Sequence, residues 1–197
     1  DKSLQKNDYS GRYIHYGIRE HSMCAIANGI STYNLLPYVG TFLIFTNYCL
    51  ASIRLSALSK HHVIYVLTHD SVGLGEDGPT HQPIESLTIL RSMPNLLTLR
   101  PADGNEVSGA YAVALEYTHM PTCICLSRQN LPQVKNTNIE GVLKGGYIVS
   151  DCSANIDLII ISTGSELHMC VEVASLLKKK NKNVRVVSMP CIELFDK

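Results

Sequence analysis

Net charge is what this sequence most plainly lacks: 17 lysines and arginines balance 17 aspartates and glutamates over 197 residues. With no basic excess, neither nucleic acid nor an anionic membrane surface is indicated as a partner. Long apolar runs are missing too. No stretch reaches the roughly 18 residues that a membrane-spanning helix needs, and the opening Asp1-Lys2-Ser3-Leu4-Gln5-Lys6 carries no signal-peptide core. The expectation is a soluble, cytoplasmic protein. Paired cysteines are also wanting, because the count of seven is odd and no C-x-x-C occurs. That argues for reduced thiols over a disulfide framework. Cys123 and Cys125 lie two apart in a strand-like segment, so they share one face and read as small buried hydrophobes. Tryptophan is absent and phenylalanine occurs three times, yet Phe42 and Phe45 fall together with Tyr48 at a spacing consistent with plain core. No internal repeat or low-complexity tract is present.

What the chain does have is a polar loop behind an apolar run. His62-Val63-Ile64-Tyr65-Val66-Leu67 reads as a buried strand, and the segment from Thr68 to Pro83 then holds His69 and His81 with Asp70, Glu76 and Asp77 between them. Gly73, Gly75 and Gly78 give that loop backbone freedom. Titratable groups in a glycine loop at a strand's carboxyl end mark a site candidate, because open α/β sheets bind ligands there.

Apolar residues at 23, 26, 27 and 30 predict a helix over 20–33. Residues 40–45 read as extended and 48–58 as a second helix. Beyond the loop, 83–93 reads as a helix, 95–99 as a strand and 103–117 as a helix, with Asp103 at its N-cap and Glu106 in the capping-box position. Strands at 62–67, 96–99 and 122–127 alternating with helices predict an α/β fold with a doubly wound, mostly parallel sheet. The Pro-, Asn- and Gly-bearing stretch 130–146 reads as a linker. After it come a fully buried strand (156–162), an amphipathic helix (165–180) and another strand (183–189), the beginning of a second α/β domain. The division expected is 1–135 and 136–197. The chain opens on Asp and stops soon after a strand, which reads as a piece of a longer protein.

Several chemistries suit the loop residues. His and carboxylate side chains are metal ligands, but the twelve-residue gap between the histidines matches no ligand spacing, and no H-E-x-x-H or H-x-H pair supports it. A solvated turn is the plainest alternative. A sugar or phosphate site is the leading reading, since neutral His and Asp bind hydroxyls and glycines admit a ligand to the backbone. Arg128, after the strand 122–127, lies at the same sheet edge and suits a phosphate or carboxylate through its planar fork; a surface arginine is the alternative. Glu20 opens the first helix, where a carboxylate also simply favours the helix dipole.

Taken together, Tyr16-Gly17-Ile18-Arg19-Glu20-His21, Gly40-Thr41-Phe42-Leu43, Arg54-Leu55-Ser56-Ala57-Leu58-Ser59, Thr68 to Pro83, Arg100-Pro101-Ala102-Asp103-Gly104-Asn105-Glu106, Ser127-Arg128-Gln129 and Thr163-Gly164-Ser165-Glu166 resemble the transketolase family. These motifs occur in family order along nearly the whole chain. The resemblance implies most of a pyrimidine-binding domain of the thiamine diphosphate-binding fold, followed by the start of a C-terminal domain. It implies a transferase of the non-oxidative pentose phosphate pathway, moving a two-carbon ketol unit from a ketose phosphate to an aldose phosphate. Thiamine diphosphate would lie between the subunits of a homodimer. Glu20 would hydrogen-bond its pyrimidine nitrogen, and Phe42, Phe45 and Tyr48 would form the ring pocket, with Phe45 stacking on the ring. His81 would help proton transfer at the reacting carbons, Asp77 would bind the acceptor's C2 hydroxyl, and His69 and Arg128 would hold the sugar phosphate.

Two departures stand out. The family's Pro-Tyr-Gly-Gly-Thr-Phe is here Pro37-Tyr38-Val39-Gly40-Thr41-Phe42, and no Gly-Asp-Gly followed by an Asn ligand occurs. No metal ligand is therefore assigned in this chain, and the divalent cation, Mg or Ca, is expected on a diphosphate domain outside it, with the isolated 197 residues inactive. Dihydroxyacetone synthase, with formaldehyde as acceptor, is the nearest alternative; a silent fragment or a sugar- or metal-binding module is another.

Overall fold

The structure, a computed structural model, describes residues 2–152 and 155–196. Helix α1 (Glu20–Ser31) buries Met23, Cys24 and Ala27, one stripe at three- and four-residue spacing. Then follow β1 (Tyr38–Phe42), α2 (Leu50–Leu58), β2 (Ile64–Thr68), α3 (Ser86–Arg91), β3 (Leu97–Leu99), α4 (Gly104–Glu116) and β4 (Thr122–Cys125). The strands form one sheet in the order β1-β2-β4-β3, every pairing parallel, as the alternation of elements predicts. Side chains alternate between its faces. Tyr65, Leu67, Cys123 and Cys125 pack with Met23, Ile53 and Leu90 of α1, α2 and α3 on one face. Ile64, Ile124, Leu97 and Leu99 pack with Ala110 and Val113 of α4 on the other.

After α5 (Ile139–Leu143), the second unit comprises β5 (Tyr147–Ser150), β6 (Leu158–Ser162), α6 (Leu167–Lys178), β7 (Val184–Ser188) and α7 (Ile192–Phe195). Its sheet order is β5-β7-β6, with β7 parallel to β6 and antiparallel to β5. The sheets meet where the first one ends: the Arg100 N–H donates to Pro190 O at 2.9 Å, and α7 packs on β3. That covers the edge strand, which would otherwise present unpaired backbone groups.

Three expectations are corrected. Residues 43–48 are a 3-10 helix, where 43–45 is expected to end a strand: Leu43 and Thr46, one turn apart, are both buried, and Thr46 Oγ1 donates to Leu43 O at 2.8 Å. Burial at three-residue spacing outweighs the β propensity of the segment. The stretch 130–146 is no simple linker, because α5 docks on α4 with Val142 in the core and Asn138 Oδ1 capping Gly141 N at 2.7 Å. Strand β6 is not fully buried, since Leu158, Ile159 and Ile161 are all exposed. All seven cysteines are free, and Cys24, Cys49, Cys123, Cys125 and Cys191 are buried. Burial pushes the Cys125 thiol up to about 12.

The first turn of α4 departs instructively from the capping-box expectation. Asp103 Oδ1 does cap the helix, accepting from Glu106 N at 3.1 Å, while its Oδ2 accepts from Gln133 Nε2, Val134 N and Thr137 Oγ1. Glu106 turns inward instead of back to the N-cap amide. Its Oε2 accepts from Ala102 N at 2.7 Å, and its Oε1 accepts from the Tyr147 hydroxyl at 2.8 Å and the Ser188 hydroxyl at 2.6 Å. Tyr147 and Ser188 belong to β5 and β7, so one fully buried carboxyl ties α4 to the second sheet.

Burial raises the Glu106 pKa above the ordinary carboxylate range, against the pull of the Ser188, Tyr147 and Ala102 hydrogen bonds. A raised folded-state pKa favours folding at low pH, and the benefit is lost as pH rises through that value. Glu106→Gln can keep all three contacts, its carbonyl accepting from Ala102 and its amide donating to the two hydroxyls. In urea unfolding from pH 4 to pH 8, the stability of Glu106→Gln relative to the parent should therefore increase with pH. Glu106→Leu strands a buried N–H and two hydroxyls and should cost at least about 2 kcal/mol at any pH.

Candidate functional site

The parallel strands bring their carboxyl ends to one edge, with Phe42 paired to Thr68 and Leu67 to Cys125. Beyond those ends lie His69, after β2, and Arg128, after β4. His69 has φ 60°, a left-handed backbone that costs a non-glycine residue about 1–2 kcal/mol. The turn is held on its far side, where Asp70 N donates to Leu126 O at 3.2 Å. It lays the His69 ring on Phe42, with centroids 3.6 Å apart and planes 23° from parallel.

Phe42 and Phe45 lie parallel, centroids 5.7 Å apart. The 3-10 turn after β1 makes this possible, because a strand would send residues 42 and 45 to opposite faces. His81 meets both rings edge-on, at 6.0 Å from Phe42 and 5.3 Å from Phe45. The loop returns His81 over the sheet edge through Gly75 and Gly78, both at positive φ, and Gln82 Nε2 donates to Val72 O at 3.2 Å. In each histidine Nδ1 is engaged by the preceding threonine hydroxyl, at 2.9 Å for Thr68 and 2.8 Å for Thr80. The Nε2 atoms meet no partner among the described residues, which leaves them for a ligand.

Burial lowers the His69 pKa, assisted by the positive charge of Arg128 and by His81, and opposed by Asp77. All three lie within electrostatic reach of His69, and Asp77 and Arg128 are exposed. The structure thus brings together Phe42, Phe45, His69, Asp77, His81 and Arg128. Tyr48 stands at the margin, 6.0 Å from Phe45 and 68% exposed. Glu20 is half-buried at the start of α1, a helix packed on β1 and the 3-10 turn, and its carboxylate meets no donor among the described residues. Its lead-in is fixed by Arg19, which folds back to donate to Tyr16 O at 3.0 Å and crowds Gly17, at φ 64°. Among the described residues no group of three or more His, Cys, Asp or Glu side chains is arranged to hold a metal.

Sequence reasoning missed the group behind this edge. Arg100, 5% exposed, donates through Nε to Asp70 Oδ2 at 2.7 Å, through Nη1 to Thr163 O at 2.8 Å and to Glu166 Oε2, and through Nη2 to Ser165 Oγ and Glu166 Oε1, each at 3.1 Å. Burial works against its charge, but Glu166 and Asp70 outweigh that and hold the guanidinium above its ordinary value. A signal existed: a charged residue directly after a buried strand needs a partner. Which acid answers it is not encoded locally.

Because Asp77 and Arg128 act on His69 with opposite sign, their removal separates them. In a proton NMR titration of the His69 ring, Asp77→Asn should lower its pKa further and Arg128→Gln should raise it. No movement in either variant would mean that the loop holds these groups apart in solution.

Comparison with known proteins gives two family matches: "Transketolase, pyrimidine binding domain" over residues 1–134 and "Transketolase-like TK C-terminal domain" over 145–197. Transketolase 1 of Saccharomyces cerevisiae is 58% identical over 197 residues, covering 99% of this chain and 29% of that protein. A Pichia stipitis transketolase, crystallised in complex with sedoheptulose 7-phosphate, superposes with TM-score 0.95 at 49% identity, covering 99% of this chain and 30% of that one. The transketolase of Leishmania mexicana gives TM-score 0.95 at 52% identity, covering 99% and 29%. The chain thus spans less than a third of the length of each of these relatives.

Proposed function

Since this chain belongs to the transketolase family, we propose that it forms one side of a thiamine diphosphate site that transfers a two-carbon ketol unit from a ketose phosphate to an aldose phosphate. The observation that carries the reading is the convergence of His69 and His81 on the paired rings of Phe42 and Phe45, with Asp77 and Arg128 in electrostatic reach of His69. The surrounding reading is a cytoplasmic homodimer of the pentose phosphate pathway with its active site at the subunit interface. Its division falls at 135/136, and the divalent cation, Mg or Ca, is held outside this chain.

The residues fit the aromatic end of the cofactor. Phe42 and Phe45 offer ring faces for a flat heterocycle, Tyr48 closes the margin, and Glu20 offers a half-buried carboxylate that meets no donor among the described residues. When bound, thiamine diphosphate supplies a nucleophilic carbon that allows the bond beside a carbonyl to be broken and remade. Glu20 accepts a hydrogen bond from a pyrimidine N–H and so holds the proton on that ring nitrogen. His81, with Nδ1 on Thr80, presents Nε2 to the substrate hydroxyls and moves a proton there. Asp77 accepts from the acceptor's C2 hydroxyl and selects its configuration. His69 and Arg128 bind the phosphate, the guanidinium through its planar fork.

Relatives named transketolase give no support to the dihydroxyacetone synthase reading. Steady-state turnover with ribose 5-phosphate against formaldehyde tests this.

In the complete enzyme Glu20→Gln should lower turnover by roughly 10²- to 10⁴-fold at saturating cofactor, and near-normal turnover would remove Glu20 from the mechanism. Arg128→Ala should raise KM for phosphorylated sugars, a loss of about tenfold to a hundredfold in kcat/KM. It should leave a nonphosphorylated acceptor such as glycolaldehyde almost untouched. Equal impairment of both acceptors would make Arg128 a structural residue.

A further inference from the structure

The Arg100 guanidinium divides its donors between two different regions of the molecule: Nε on Asp70, in the site loop, and Nη1 and Nη2 on Thr163, Ser165 and Glu166, in the turn between β6 and α6 of the second sheet. We infer that Arg100 is a positioning residue through which the 163–166 turn fixes the place of His69. The inference rests on the reading of His69 as a substrate residue.

Asp70 directly follows His69, and Arg100 is the one donor its carboxylate meets among the described residues, Oδ1 having none. The His69 backbone at φ 60° is a conformation that persists only where its surroundings over-determine it. On one side Thr68 is fixed in the ladder of β2. On the other, Asp70 is pinned by its amide to Leu126 and by its carboxylate to Arg100. The ring that this turn aims lies 3.6 Å from Phe42, so little play separates the bend from the site.

The second sheet's turn is shaped around the same guanidinium. Gly164 has φ 60°, and a Cβ there would stand 2.7 Å from Arg100 Cγ and Nε. Thr163 Oγ1 donates back to Arg100 O at 3.2 Å, so this turn grips both the backbone and the head of the arginine. Burial of both Arg100 and Asp70 keeps water from substituting for the contact between them. A displacement of Glu166 therefore shifts the guanidinium, then Asp70, then the bend at His69. The Glu166 carboxylate meets Arg100 and Ser165 and none of the site residues among the described residues, and its side chain is 45% exposed, which makes it the place to perturb the chain of contacts without touching the site.

The test is a double-mutant cycle in the full-length protein with its cofactor bound, using Glu166→Ala, Glu166→Gln, His69→Ala and the combinations. The readouts are KM and kcat for ribose 5-phosphate and for glycolaldehyde, on variants shown by thermal melting to be folded. Glu166→Ala should raise KM for the phosphorylated acceptor about fivefold to tenfold while changing glycolaldehyde kinetics less than about twofold. In the His69→Ala background its further effect should fall below about twofold. If Glu166→Ala does not fold, Glu166→Gln, which keeps the shape and loses the charge, is read in its place with a smaller shift in the same direction. An equal effect with and without His69, an equal effect on both acceptors, or no effect in a folded variant overturns the inference and leaves His69's own role standing. If His69→Ala alone leaves KM unchanged, the substrate reading itself falls and takes the inference with it.

Discussion

The Arg100 guanidinium is taken out of water and remains charged because carboxylates flank it, Asp70 from the first sheet and Glu166 from the second. Desolvating an ion costs several kcal/mol, and an attraction of opposite charges offsets that only when the geometry is good and the remaining donors are satisfied. The stringency lies in that condition. To keep one arginine, the structure must hold the loop after β2, the end of β3 and the turn before α6 in register with one another. These segments are far apart in the chain, and the first of them carries His69, Asp77 and His81 of the site.

In Glu106 a carboxyl group imposes the corresponding demand at the start of α4. It faces three donors, one from the backbone before α4 and two from hydroxyls of the second sheet, while Asp103 gathers Gln133, Val134 and Thr137 from the segment between the sheets. The two units are thus joined by polar groups that each need several partners at once, as well as by Leu194 and Cys191 against β3 and α4. Apolar contacts tolerate small slips, and a buried carboxyl with directional donors does not. The stretch between the sheets therefore belongs to the architecture.

Much of the fold was legible because its signals are local. The apolar runs of β2 and β4, the spacing of Met23 and Ala27 on α1 and the Asp103 cap on α4 follow from neighbours in sequence, and their alternation leads to a parallel sheet. Placing His69 and Arg128 at one edge follows from that sheet. What escaped depends on contacts between distant residues. Leu43 and Thr46 favour a helical turn only because both find the core, and α5 forms because α4 offers it a surface. The exposed face of β6 looks the same in sequence as a covered one, since isoleucine carries no record of what lies against it. In the candidate site, the residue types of the loop showed its polar chemistry, whereas the stacking of His69 on Phe42 depends on a left-handed bend that histidine does not advertise. Arg100 stood in view after its strand, and its acids lay 30 positions behind it and 66 ahead.

The buried thiols carry a consequence of a different kind. Cys24, Cys49, Cys123, Cys125 and Cys191 are distributed over α1, the approach to α2, strand β4 and the approach to α7, so they sample the cores on both faces of the first sheet. A thiol that burial shuts off from solvent reacts only when its surroundings open. Each is thus a native label whose rate of alkylation records how often its own neighbourhood breathes, and the spread of those rates across the five positions would give a map of local opening without the addition of a single probe.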